Sequence, residues 1–158
     1  MKRYAMLVWL AVSLCAFASA SAGEVAVIVN RSNPTETVSL QELVKIFKQE
    51  KQQWDHGMRI YLVMREAGAA EKQVILKKVY GMTDEELKKF WLGKLFREEI
   101  GAFPQTVGSV EGMKRFVSQA PNAIGFIDAS ALDDSVKPLR IEGKLPGQSG
   151  YPLTDSGD

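Results

Sequence analysis

The sequence predicts an α/β domain with a mostly parallel sheet flanked by helices. Two continuous apolar runs, Val25–Val29 and residues 60–64, are too short for helices and show no polar alternation, which is typical of strands covered on both faces. Segments with helical spacing of apolar residues follow, and several begin with a capping signal. Strands that alternate with capped helices indicate a parallel sheet.

The first half of the domain is predicted to contain a strand, a helix and a second strand. Val25–Val29 forms the first strand, and a cluster of turn-forming residues follows it. Ser39 and Glu42 then have the spacing of a capping box, so a helix should begin there and end near Lys48. The second strand is residues 60–64.

The second half is predicted to contain three helices, a short extended segment and two more strands. Apolar residues at helical spacing mark a helix over residues 69–80, which Gly81 ends. Thr83 and Glu86 form a second capping box, and Ser109 caps the last helix. The remaining extended segments are a short one at 105–108, a buried strand at 123–127 and a weak edge strand at 136–141, where Pro138 interrupts the hydrogen bonding.

Composition divides the chain into three parts. Residues 1–22 have the pattern of a secretory signal peptide, with Lys2 and Arg3 before an apolar stretch too short to span a bilayer, and small residues near the end. A membrane anchor is the alternative. Residues 23–142 form the predicted domain, and residues 143–158, rich in Gly, Pro and Ser, form an extended or disordered tail. We expect a soluble, periplasmic protein.

Composition also excludes several functions. The one cysteine, Cys15, lies in the signal peptide, so the mature chain has no disulfide, catalytic thiol or cysteine metal site. Without Lys2 and Arg3 the chain has 18 basic and 19 acidic residues, a charge of −1, which does not favour nucleic acid. His56 lies in a predicted turn without a nucleophile context, so we expect no catalytic residues, no metal and no cofactor.

The main candidate site is where the 60–64 strand ends. Arg65 follows the strand, Gly68 allows a tight turn, and a helix begins at Ala69. In open α/β sheets, ligands bind at the carboxyl ends of strands, where helix N–H groups point. This pattern predicts an anion site at Arg65. The alternative is an arginine that is exposed or paired for structural reasons.

Two other polar segments are predicted to lie near Arg65. Ser32 and Asn33 are in the loop after the first strand, and Ser109 begins the last helix. With Arg65, these strand ends and helix starts are predicted to converge on one edge of the sheet. Each has a simpler explanation as a turn residue or a helix cap.

Three segments in order resemble periplasmic phosphate-binding proteins of ABC transporters. They are Ile46-Phe47 with Trp54 downstream, Arg65 with Gly68, and the run 121–126, Pro-Asn-Ala-Ile-Gly-Phe. The family has Ile-Phe-x-Gly-Lys and Trp, Arg-x-x-Gly-Ser-Gly-Thr, and Pro-Gly-Ala-Ile-Gly-Tyr there. The resemblance runs from about Ser39 to Asp128. It implies one lobe of a type II periplasmic-binding-protein fold and a phosphate contact at Arg65, Gly68 and Ala69.

The chain departs from this family in two ways. It is long enough for little more than one lobe, whereas family members close two lobes on a phosphate. The family's Ser-Gly-Thr is replaced by Ala69, Ala70 and Glu71. Each lost donor to a charged ligand costs about 1.5–3 kcal/mol, and Glu71 is expected to repel an anion.

Two functions follow from these observations. The first is a periplasmic solute-binding protein of the phosphate-transport type that binds phosphate or another small oxyanion. The second is an interaction module that kept the fold without the ligand and contacts an inner-membrane ABC permease, a sensor or an assembly. A second copy of the chain, which would complete a cleft, is a further candidate partner.

Overall fold

The structure, a computed structural model, describes residues 23–156, so the predicted signal peptide lies outside it. The strands are β1 (Val25–Val29), β2 (Thr37–Val38), β3 (Tyr61–Arg65), β4 (Gln105–Val107), β5 (Ala123–Asp128), β6 (Lys137–Pro138) and β7 (Arg140–Ile141). The helices are α1 (Leu40–Phe47), α2 (Ala70–Ile75), α3 (Asp84–Phe96) and α4 (Val110–Gln119).

The five-stranded sheet has the order β4-β3-β5-β1-β6, and β2 and β7 form a separate parallel pair. Strand β3 runs parallel to both β4 and β5, whereas β1 is antiparallel to its neighbours β5 and β6. Four strands therefore point one way and β1 points the other. The predicted α/β class with a mostly parallel sheet is confirmed.

Both faces of the sheet are covered, as the continuous apolar runs predicted. Alternate residues of β1 belong to two different clusters of buried side chains. Val27 faces the larger cluster, which includes Phe47 of α1 and Trp91 of α3. Ile28 faces the smaller one, which includes Met113 of α4. All of β1 is buried because each side of the strand meets a helical layer.

Helix starts follow the predicted caps. Thr83 and Glu86 form a complete capping box at α3, with both reciprocal hydrogen bonds present. Ser39 accepts the expected bond from the Glu42 N–H, at 3.0 Å. The other half of that box is missing, because the Glu42 carboxylate pairs with Lys51 instead.

The helix predicted over residues 69–80 is present but changes type. It is α-helical as α2 and continues as a π-helix over Leu76–Tyr80, and Gly81 ends it in the left-handed region with φ 63°. The wider turn places Tyr80 in the core, where its hydroxyl donates to the Phe47 carbonyl at 2.7 Å. Burial raises the pKa of Tyr80 well above its usual value.

The predicted edge strand over 136–141 is divided at Leu139. Its first part is β6, paired with β1, and its second is β7, paired with β2. The segment from Gly143, left open as extended or disordered, packs on the domain in its described part. Leu153 is buried and accepts a backbone hydrogen bond from Val25, and the Tyr151 hydroxyl donates to the Val25 carbonyl.

Among residues 23–156, no helix has the length and apolar composition needed to cross a membrane.

Gly125 of β5 allows close packing of α4 on the sheet. A Cβ at this position would lie 2.4 Å from Met113 Sδ, and Met113 is fully buried. We predict that Gly125→Ala lowers the free energy of unfolding by about 1–3 kcal/mol, because overpacking displaces a side chain with no room to move. Urea unfolding measures the effect. Gly101→Ala is the matched control, because its added methyl would meet nothing within 4 Å; equal midpoints for the two variants would contradict the prediction.

Candidate anion site and adjoining cavity

Arg65 is the last residue of β3 and lies opposite Val107 of β4. Because the two strands are parallel, the segments that follow them emerge at the same end of the sheet. These segments are the Gly68 turn and the start of α4 at Ser109. Arg65, Gly68, Ala69 and Ser109 are therefore at the same end of the sheet, as predicted.

The guanidinium of Arg65 is buried and paired with Glu71. Arg65 and Glu71 are 7% and 8% exposed, and Arg65 Nη1 donates to Glu71 Oε1 at 2.5 Å. Burial of one charge without the other would be costly, so each requires its partner. The pairing interpretation of Arg65 is therefore confirmed, although the sequence suggested Glu71 only as a source of repulsion.

Part of this guanidinium has no partner. Arg65 Nε is buried and lacks a hydrogen bond within the described residues. A guanidinium carries five N–H groups, and a carboxylate or phosphate uses two of them in its strongest arrangement. Glu71 is bound through Nη1, so Nε remains an unsatisfied donor beside the ion pair.

The turn between Arg65 and α2 has the predicted form. Gly68 has φ 88°, in the left-handed region, which explains the glycine. Ala69 is the N-cap of α2 and provides no side-chain hydrogen bond. The Ser109 hydroxyl, by contrast, is already used, because it accepts from the Gly112 N–H at 2.9 Å. Ser109 is thus a helix cap at this edge, and nothing in its geometry requires a ligand.

The expectation that Ser32 and Asn33 converge with Arg65 is wrong. Val29, at the end of β1, lies opposite Ile124, and Ile124 lies opposite Leu62, near the start of β3. The loop after β1 is therefore at the opposite end of the sheet, about 10 Å or more from Arg65 at about 3.3 Å per residue. The cause is the antiparallel direction of β1.

Ser32 and Asn33 stabilise the turn that contains them. The Ser32 backbone N–H and hydroxyl both donate to Asn30 Oδ1, at 2.9 and 2.7 Å. Asn33 Oδ1 accepts from the Thr35 N–H at 2.9 Å. These are the local bonds typical of Asn and Ser in turns. His56 is exposed and stacks on Trp54, so its prediction as a turn residue is confirmed.

A cavity of about 520 Å³ adjoins Arg65, and no pattern in the sequence predicted it. It lies between α3, the end of β3 and the segment before β4. Arg65, Lys72 and Lys88 are the cations in its lining, and Glu66 and Asp84 are the anions. The larger apolar side chains of the lining are Met64, Leu87, Trp91, Leu92, Phe103 and Pro104.

Lys72 is held at the cavity wall by Asp84, with 2.7 Å between Nζ and Oδ1. This ion pair is the main reason that the pKa of Asp84 is below its usual value, although burial acts in the opposite direction. Lys88 forms no ion pair within the described part of the chain. Across residues 23–156, no group of three or more His, Cys, Asp or Glu side chains is arranged to hold a metal ion.

The ion pair of Arg65 and Glu71 gives a test of how this end of β3 is stabilised. We predict that Arg65→Met and Glu71→Leu each lower the free energy of unfolding by about 3–5 kcal/mol, because each leaves a buried charge unpaired. The double variant should lose much less than the sum, since it removes both charges. Urea unfolding of the four proteins provides the double-mutant cycle. Additive losses would show that the two side chains do not interact.

Comparison with known proteins identifies solved structures with a similar fold. No family model and no curated protein matches the sequence. Among solved structures, an ABC-type phosphate transport receptor from Vibrio cholerae matches with TM-score 0.63 and 23% identity over 78% of this chain and 48% of its own. PstS from Borrelia burgdorferi matches with TM-score 0.65 and 17% identity over 86% and 58%.

A third similar structure was solved with bound phosphate. It is assigned as the phosphate ABC transporter substrate-binding protein of Clostridium perfringens, with TM-score 0.64 and 23% identity over 78% of this chain and 47% of its own. These neighbours are described as binding and transport proteins, not as enzymes. The chain spans about half their length. It has the fold of one lobe of a phosphate-type periplasmic binding protein.

Proposed function

We propose that the chain is an extracytoplasmic binding protein of the phosphate-transport type, which takes a small oxyanion at the carboxyl ends of β3 and β4. One observation carries the proposal: Arg65, at the strand end, lines a cavity, and its buried Nε has no hydrogen-bond partner among residues 23–156. A buried N–H that lacks a hydrogen bond costs about 1–3 kcal/mol, so an anion whose oxygen reached Nε would stabilise this arrangement.

The fold supports this assignment. The similar structures are phosphate-binding transport proteins, and one contains phosphate. In this proposal, Arg65 is the charged contact, and Gly68 and Ala69 form the turn that follows it at the same end of the sheet. Ser109 marks the neighbouring helix start. Ser32 and Asn33 have no part, because they lie at the other end of the sheet.

Glu71 determines the affinity in this proposal. Its carboxylate holds one edge of the Arg65 guanidinium, so a bound oxyanion must share the cation with it or displace it. Like charges within a few ångströms oppose each other, and the local dielectric increases the effect. Binding should therefore be weaker than that of a site with an uncompensated arginine.

The second candidate function is the ligand-free interaction module, and a specific observation favours it. Phe96 on α3 is 83% exposed, and Leu92, one turn earlier on the same helix, is 44% exposed. Apolar side chains grouped on a surface mark interaction sites. If this function is correct, a periplasmic partner should be retained by the wild type and lost by Phe96→Asp, while anion binding is absent.

We predict that phosphate stabilises the protein against heat and that Arg65 is required. At 100 times its dissociation constant, a ligand stabilises by about 2.7 kcal/mol, a rise in melting temperature of about 5–10 °C for this size. The Arg65→Met/Glu71→Leu double variant, which leaves no buried charge unpaired, should show no rise. Thermal melts with phosphate and sulfate measure this. An equal rise in wild type and double variant would contradict a site at Arg65.

We also predict that Glu71→Gln increases phosphate affinity about tenfold, or about 1.4 kcal/mol. Glutamine keeps an oxygen that accepts a hydrogen bond from Arg65, but it removes the competing negative charge. Isothermal titration calorimetry compares the two proteins. Glu66→Gln, which removes an exposed carboxylate at the same strand end, is the control and should have a smaller effect. A decrease in affinity for Glu71→Gln would show that the carboxylate assists binding.

A further inference from the structure

The cavity beside Arg65 is much larger than an inorganic oxyanion. Its volume is about 520 Å³, which is within the range of about 300–1,000 Å³ typical of sites for organic ligands. Phosphate has five heavy atoms and fills roughly 70 Å³, about the share of two to three waters at about 30 Å³ each. A phosphate held by Arg65 would leave most of this space without contacts.

The walls of the cavity differ in chemistry from its charged end. Leu87 and Trp91 are buried at its base, and Leu92 and Phe103 stand at its opening, 44% and 51% exposed. Water beside such side chains gains few hydrogen bonds, so an apolar group that replaces it is stabilised by its burial. The walls therefore favour a ligand with an apolar body.

The charged side chains of the lining determine the orientation of such a ligand in the cavity. Arg65 and Lys72 both line the cavity, and Lys72 is anchored by Asp84. Lys88 adds a third cation, which has no ion-pair partner within residues 23–156. Among the described residues of the lining, Glu66 and Asp84 are acidic. Counting Glu71, which pairs with Arg65, three cations face three carboxylates, so a negative head group is attracted by the individual donors of Arg65 and Lys88 and not by an excess of positive charge.

We propose that the cavity binds a small organic acid, with its phosphonate or carboxylate head on Arg65 and its apolar body against Trp91, Leu92 and Phe103. This inference rests on the proposed oxyanion site and names the ligand class for it. The apolar body fills the space that phosphate alone would leave without contacts. Ligand pockets of this kind combine apolar walls with a few polar groups that fix the orientation.

Phenylphosphonate and phosphate form the test pair, because they share an anionic phosphorus head and differ in the apolar body. Calorimetric titration of the purified protein should give a dissociation constant at least tenfold lower for phenylphosphonate. Phenylacetate tests the carboxylate head in the same way against acetate. Arg65→Met/Glu71→Leu should lose the binding of all four ligands.

Two phenylalanine variants separate the cavity from the general surface. Phe103→Ala removes a wall and should raise the dissociation constant of phenylphosphonate at least fivefold, while that of phosphate stays within twofold. Phe96→Ala makes the same truncation at an 83% exposed side chain outside the lining and should change neither. Both side chains are mostly exposed, so the variants should remain folded, which their melting temperatures check.

Three results would overturn the inference in distinguishable ways. Equal affinity for phosphate and phenylphosphonate would leave the oxyanion site in place and remove the organic-acid class. Failure of every anion to bind would remove the proposed function together with the inference. A dimer in sedimentation experiments that the wild type forms and Phe103→Ala abolishes would assign the cavity to a second copy of the chain.

Discussion

The antiparallel pairing of β1 with β5 determines where a site can form. Both strands are buried on their two faces, so they form the centre of the sheet and fix its register, from Val25 opposite Asp128 to Val29 opposite Ile124. With β1 reversed, its following loop lies at one end of the sheet, and the ends of β3 and β4 lie at the other. The chemistry at Arg65 must therefore come from β3, β4 and the helices that follow them.

Local signals in the sequence predicted most elements, because the residues that specify them are close together. Thr83 and Glu86 are three residues apart, and the helix start they mark is present as predicted. The direction of a strand has no such local signal, since nothing within Val25–Val29 indicates whether the neighbouring strands run parallel to it. The prediction placed Ser32 and Asn33 beside Arg65 because it treated β1 as parallel to β3. The direction of β1 is instead determined by its pairing with β5, between residues about a hundred positions apart.

The pairing of Arg65 with Glu71 could be only partly anticipated. A carboxylate six residues after an arginine, across a turn, has no fixed geometry in sequence: it can repel a ligand, as the sequence suggested, or it can pair with the arginine. Burial decides between them. A guanidinium that is 7% exposed needs a countercharge in the folded protein, and Glu71 provides one from the first turn of α2. The cavity also has no local signal in the sequence, because residues from Met64 to Thr106, in several different elements, form its lining.

The pairing of Arg65 with Glu71 also changes which class of ligand the site favours. An arginine already paired has less electrostatic attraction left for an anion, so the charge of phosphate alone contributes less at this site. Within the described residues, the walls around Arg65 belong to a single lobe, and a small hydrated anion buries little surface against it. An acid with an apolar body is stabilised also by the area that it removes from water, at about 25 cal/mol per Å². Weaker charge recognition and a large apolar cavity thus favour the same class of ligand, in which burial supplies the affinity and Arg65 sets the orientation.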